Sequence, residues 1–362
     1  MATTKVITEL TDLNQANSES GLRMPTGNSA YAAPPAVEAG MIRNQDGQAS
    51  EGSASCMQHY NGTEWKNFVN TALPLTVDYL VVAGGGSGSG SHGGGGGAGG
   101  LRTSFGSNTG GGGSAETSLS LAVSTDYTVT IGEGGTAPSA GGNNGNSGSD
   151  SVFASITSTG GGWGEYFNAA GTAGAGGSGG GASYGHTGGA AVTSPAVQGY
   201  SGGNGTSNYQ HGGGGGGAFE AGDPNTSTAA GNGGDGLPVS ITGSSVTYAG
   251  GGGGGINLLA SGTTPGLGGT GGGGDATTGT GQSGGTNTGG GGAGGYYDGS
   301  SSAGGSGGSG VVILRYPNSY TISETTSGGN VLTFTTDSAT VANTKITTFT
   351  ASAGTSGTIQ FT

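Results

Sequence analysis

Six glycine runs of four or more residues, at 93–97, 110–113, 212–217, 250–255, 271–274 and 289–292, punctuate the middle of this chain. Glycine inside an isolated helix or strand is less favourable than alanine by about 0.5–1 kcal/mol, because it loses the most backbone freedom on folding. Runs of this length therefore require an interaction that only the absence of a side chain permits. Close packing of backbones is such an interaction. A polyproline-II-type helix turns once every three residues, makes no internal hydrogen bond and rises about 3.1 Å per residue, so a six-residue run would span about 19 Å. Each of its amides and carbonyls must find a partner on a neighbouring segment, and neighbours come close enough only where no Cβ stands between them. A fully enclosed segment must be all glycine, whereas a peripheral one tolerates Ser, Ala, Thr or Asn on its outer edge. Collagen packs related helices but needs glycine at every third position and abundant proline; this chain lacks that period and has 10 prolines in 362 residues.

Composition divides the chain into residues 1–72, of ordinary make-up, residues 73–316, which hold nearly all of the 94 glycines, and the threonine-rich residues 317–362. β-Branched and alternating stretches predict strands at 77–83, 119–121, 126–132, 151–156, 239–241 and 310–316, and at 320–324, 331–336, 345–350 and 358–362. Near the N-terminus, residues 37–44 and 57–68 predict two or three short antiparallel strands, with Asn61-Gly62 suited to a tight type I′ turn. So small a unit is marginal alone. Met41, Ile42, Tyr60, Trp65 and Phe68 are therefore expected to pack against other chains, in a homotrimer or on a larger particle. The expected fold is mainly β with a polyglycine-II-type helical sandwich: an N-terminal β module, a central glycine-rich domain and a small C-terminal β unit.

Charge narrows the function classes. Seven Lys and Arg face 20 Asp and Glu, and Arg102 is the only basic residue between Lys66 and Arg315. Nucleic-acid binding needs a basic surface, and attachment to an anionic membrane needs the same; neither partner is expected. No apolar run approaches the ~20 residues that span a bilayer, and the first residues lack the apolar core of a signal peptide. Cys56 is the single cysteine. No Gly-Lys pair supports a phosphate-binding loop, Asp150, Asp235 and Asp275 do not complete a calcium-binding β-roll repeat, and His59, His92, His186 and His211 lack metal-ligand spacing. No cofactor or metal is expected. A glycan hydrolase needs two carboxylates across a cleft, and no such pair stands out, so an enzyme is not the expectation.

Two stretches carry a family resemblance. Gly-Leu-Arg-Met-Pro-Thr-Gly at 21–27, Gly-Met-Ile-Arg-Asn at 40–44 and Tyr-Asn-Gly-Thr-Glu-Trp at 60–65 resemble a module of phage tail-fibre and virion structural proteins, interrupted here by a longer polar insertion at 45–55. Tyr-Leu-Val-Val-Ala-Gly-Gly-Gly at 79–86 and Gly-Val-Val-Ile-Leu-Arg-Tyr at 310–316 bracket a segment similar to a glycine-rich domain of marine bacteriophage proteins, and more loosely to the polyglycine-helix sandwiches of phage receptor-binding adhesins. The resemblance implies a virion fibre or spike, assembled in the host cytoplasm and released on lysis, with other virion proteins and a host surface glycan or protein as partners. Loops joining the helices at one end would then meet the receptor. Among the aromatics on those loops, Trp163, Tyr166 and Tyr297 are the candidate contacts, against the alternative that such rings fill gaps over a bundle with few side chains of its own. The competing functional readings are a capsid or tail decoration protein without recognition and a glycan-processing tailspike.

Overall fold

The computed structural model describes residues 26–27, 42–45, 56–60, 63, 65–67, 75–167, 171–206, 211–260, 262–325, 332–350 and 356–362. Contacts divide the chain into two units, Met1–Leu73 and Pro74–Thr362. Among the described residues the elements are strands and one short 3-10 turn, with no α-helix.

The first unit holds a four-stranded sheet of β1 (Thr26–Gly27), β2 (Ile42–Gln45), β3 (Cys56–Tyr60) and β4 (Trp65–Asn67), in that order. β2 to β4 are antiparallel, as the alternation predicts, while β1 joins β2 in parallel. The last pair closing β3 to β4 is Tyr60↔Trp65. The turn expected at Asn61-Gly62 lies outside the described residues. Ile42, Tyr60 and Trp65 fall on these strands, and Met41 and Phe68 lie outside the described residues.

The second unit is organised by β5 (Thr76–Val82) and β13 (Val311–Pro317), which pair antiparallel from Val82↔Val311 to Asp78↔Arg315. The chain thus enters and leaves the glycine region through adjacent strands. Between them come β6 (Leu101–Thr103), a 3-10 turn (Gly110–Gly112), β7 (Leu119–Ser120), β8 (Tyr127–Thr130), β9 (Ser151–Phe153), β10 (Ile156–Ser158), β11 (Leu237–Val239) and β12 (Val246–Tyr248). β14 (Ile322–Glu324), β15 (Thr333–Asp337), β16 (Thr344–Thr350) and β17 (Ser356–Phe361) follow. One sheet runs β15-β16-β13-β5-β6, with β7 also on β5; a second runs β10-β9-β8-β17-β14; β11 and β12 form a hairpin.

Strand alternation explains how these layers stack. Val77, Tyr79 and Val81 of β5, with Val312, Leu314 and Tyr316 of β13, face Val129, Phe153, Ile359 and Phe361 of the second sheet. The opposite face of the same two strands, Leu80, Val82, Val311 and Ile313, packs with Leu237, Val239 and Tyr248 of the hairpin. β5 and β13 are therefore buried on both sides, which accounts for their near-continuous apolar sequence. Residues 317–362 are woven into these sheets: β16 lies against β13 and β17 against β8. They share the contact unit that begins at Pro74 instead of forming a separate C-terminal β unit, because the apolar sides of β16 and β17 complete the core around β13 and β8.

The glycine segments are held by backbone bonds whose partners rotate with a period of three. Along residues 94–100, the amides of Gly94, Gly97 and Gly100 donate to Glu165, Gly162 and Thr159 at 2.8 Å each. Those of Gly95 and Ala98 donate to Gly213 and Gly216 at 3.0 and 2.9 Å, and those of Gly96 and Gly99 to Gly292 and Gly289 at 2.8 and 2.9 Å. Its carbonyls accept in the same way: Gly94, Gly97 and Gly100 from Ser89, Gly86 and Ala83, Gly95 and Ala98 from Gly181 and Ser178, and Gly93 and Gly96 from Gly255 and Gly252. One segment thus bonds to six neighbours. A Cβ on Gly95 would overlap the Gly252 carbonyl, one on Gly252 the Gly292 carbonyl, and one on Gly214 the Asn232 carbonyl. Three runs depart locally from this packing, the third at Gly289 (φ 69°). Gly111 and Gly112 (φ 70° and 75°) and Gly271 and Gly272 (φ 92° and 98°) sit in the left-handed region, where glycine turns the chain without a Cβ penalty.

Candidate functional site

The bonding pattern separates two ends of the second unit. Going down residues 94–100 leads into β6 and the sheets, and the partner of Gly100, Thr159, directly follows β10. Going up leads to Gly93 and Gly94, whose partners Gly255 and Glu165 stand at the other extremity of their own segments. Turns leaving that end carry Ser91 and His92, Glu165 to Phe167, Ser183 to His186, His211, Asn257 to Leu259, and Tyr296 and Tyr297. The three basic side chains of this unit lie elsewhere, bonded among the sheets: Arg102 to Glu116, Arg315 over the Phe105 ring at 4.9 Å, and Lys345 to the Tyr320 carbonyl at 2.7 Å. The loop end carries no Lys or Arg.

Four rings form a row there. The His92 ring lies 4.1 Å from that of Phe167 and 5.3 Å from that of Tyr297, and Phe167 meets Tyr184 edge-on at 5.1 Å. His92 is buried; its Nδ1 bonds the Ser91 hydroxyl at 2.9 Å and its Nε2 has no hydrogen-bond partner. Burial, and next the nearby His211, push its pKa down to about 4, so the ring is neutral at pH 7. Tyr184, by contrast, is 46% exposed.

Beneath Tyr184 a buried carboxylate ties the turn down. Glu165 is 1% exposed; its Oε1 pairs with His186 Nδ1 at 2.9 Å and its Oε2 accepts the Ser183 amide at 3.3 Å. Burial raises the Glu165 pKa, and the Ser183 amide and His186 oppose that rise. Ser, His and Glu in one turn invite comparison with a hydrolytic triad, which needs the serine hydroxyl within hydrogen-bonding reach of the base. Here Ser183 Oγ is buried and has no hydrogen-bond partner; the contacts that do form, from Glu165 to the Ser183 amide and to His186, hold the turn.

Of the three contacts expected from sequence, Tyr297 belongs to the row. Half-buried Trp163 lays its ring over Gly174, and half-buried Tyr166 lays its ring over Gly142 while its amide donates to Asn144 Oδ1 at 2.8 Å. Both rings cover backbone that has no side chains. Sequence reasoning did not group His92, Phe167 and Tyr184 into the site. The available signal was position: His92 immediately precedes one glycine run, and Tyr184 follows Gly181 by three residues.

Other features give weaker geometry. A polar cleft of about 220 Å³ is lined by Glu220, Asp223, Asn232 and Asp235, but Asp223 is bonded by Asn232 and Asp235 by Thr270. Among the described residues no three His, Cys, Asp or Glu are placed to hold a metal ion, and no helix is long and apolar enough to cross a membrane. The sequence matches one family profile, described as a glycine-rich domain, over residues 61–317, ending on the last residue of β13. Comparison with curated proteins and with solved structures returned no match.

Proposed function

The chain belongs to the glycine-rich domain family, and on that premise we propose that it is a structural protein of a bacteriophage particle, a fibre or spike component whose loop end meets the host surface. In this reading the glycine segments run as polyglycine-II helices. Its support is the three-residue rotation of bonding partners along residues 94–100, the periodicity of a helix with three residues per turn. A bundle bonded through its backbones needs few large side chains inside, so aromatics are free for its ends. The N-terminal unit attaches the fibre, as a homotrimer and against other virion proteins, through the strands that carry Ile42, Tyr60 and Trp65.

The observation that carries the proposal is the segregation of the second unit: both apolar clusters lie among the sheets, and the ring row lies at the opposite extremity. A scaffold fixed at one end and presenting loops at the other is the usual arrangement for recognition. Immunogold labelling of intact particles with an antibody against this chain tests it. Label on projecting fibres is expected. Label spread over the capsid favours a decoration protein, and the absence of label removes the virion reading.

A further inference from the structure

We infer that Tyr184 is the principal contact residue of the loop end and that its ligand is a neutral carbohydrate; the inference rests on the recognition role proposed above. Tyr184 combines three properties that a filler residue does not need. Its ring is 46% exposed while Phe167 beside it is half-buried. Its backbone adopts φ 46°, the left-handed region where a bulky side chain is rare and glycine is the ordinary choice. The turn that carries it is fixed on both sides by one buried carboxylate, Glu165, through the Ser183 amide and the His186 ring. A tyrosine kept where glycine would sit with less strain points to a role for the ring itself.

Chemistry selects the ligand. The loop end lacks Lys and Arg, so an anionic glycan or a phosphorylated surface finds no counter-charge there, and His92 is neutral at pH 7. Besides Leu259 and Asp298, the exposed groups there are the Tyr184 phenol ring and peptide and hydroxyl groups of Gly, Ser, Thr and Asn turns. A pyranose with apolar C–H faces and neutral hydroxyls uses both, and an aromatic with a polar tip suits it. Two buried polar atoms without hydrogen-bond partners, His92 Nε2 and Ser183 Oγ, also lie at this end. Such atoms are few in folded proteins and tend to mark functional places.

The test uses the full chain and a panel of immobilised polysaccharides: dextran, mannan, galactan and xylan as neutral members and alginate as the anionic one. Wild type is expected to bind at least one neutral member and not alginate, with little change between low and high salt. Tyr184→Gly keeps the left-handed backbone and removes the ring; it is expected to weaken that binding at least tenfold with an unchanged or higher melting temperature. Tyr184→Phe is expected to stay within threefold of wild type. Unchanged binding by Tyr184→Gly overturns the role of Tyr184. Binding only to alginate, or to none of the five, overturns the ligand class, as does capture of a host surface protein in place of the neutral glycans. Particles labelled on their fibres alongside a negative panel sink this inference alone, whereas unlabelled particles with a positive panel sink the virion reading alone.

Discussion

Replacing Gly252 with alanine, the smallest side chain, should come close to unfolding the second unit. A Cβ at this position would stand 2.5 Å from the Gly292 carbonyl carbon and 3.1 Å from the Ala293 amide nitrogen. Carbon atoms settle at about 3.5–4.0 Å, so the two segments must part by about 1 Å. Two bonds join them on either side of the intrusion, from the Gly291 amide to the Gly250 carbonyl and from the Gly294 amide to the Gly253 carbonyl, both 2.9 Å. Both would be stretched beyond useful length, leaving two donors and two acceptors buried. At about 1–3 kcal/mol for each unsatisfied buried group, the lower end already amounts to roughly 4 kcal/mol. Single domains are stable by only about 5–15 kcal/mol. The assay is thermal unfolding of the full chain followed by circular dichroism, with Gly279→Ala as the control. A Cβ on Gly279 meets only the Thr277 hydroxyl, at 3.6 Å, and its φ lies outside the left-handed region, so this change should be neutral or slightly stabilising. Gly252→Ala should lower the melting temperature by about 10 °C or more or prevent folding, and Gly252→Val or Gly214→Val should prevent it. A Gly252→Ala protein that melts within about 3 °C of wild type would mean that the runs are loosely packed loops and that the reasoning fails.

His92 should make stability pH-dependent: an unfolded histidine takes up a proton below about 6.5, whereas folded His92 stays neutral down to about 4. The unfolded state then binds more protons between these values, so stability is full above pH 6.5 and falls by roughly 3 kcal/mol on the way to pH 4; urea unfolding at pH 7 and pH 4.5 should show the loss, and His92→Phe should reduce it. Trp163→Ala and Tyr166→Ala should each cost about 2 kcal/mol by uncovering glycine backbone without changing adsorption of particles to cells, while Tyr297→Ala lowers adsorption; equal effects of all three on adsorption would return Trp163 and Tyr166 to the contact surface. Arg102→Met leaves the partly buried Glu116 carboxylate without its guanidinium partner, though still bonded by the Tyr79 hydroxyl, at a cost of about 1–3 kcal/mol, and the double change Arg102→Met with Glu116→Met should recover part of the loss in calorimetry. Sedimentation equilibrium of the full chain should give three times the 33.8 kDa protomer mass; a stable monomer would remove the trimer.

Strands were legible wherever a stretch carried its own pattern. Residues 76–82 and 311–317 read as strands because β-branched and large apolar residues dominate both, and the four strands after residue 317 fall near their expected places. Where geometry depends on one residue, the local pattern misled. Residues 151–156 look like one strand, yet Ala154 adopts φ 50° and splits them into the β9–β10 hairpin. β6 and β12, three residues each, carry too little pattern of their own; β6 is a strand because β5 offers it an edge.

The glycine runs themselves state that backbones must touch, since nothing else offsets their entropy, but a run of identical residues contains no address. Which segment lies against residues 94–100 is decided by where six neighbours bring complementary amides and carbonyls into register, over separations from a few residues to almost two hundred. The ring row follows from that choice. His92, Phe167, Tyr184 and Tyr297 are separated in the chain, each harmless alone on a turn, and they meet because the segments beneath them are hydrogen-bonded neighbours. Local preference acts through side chains, and glycine has none; its partners are therefore chosen by long-range hydrogen bonding alone.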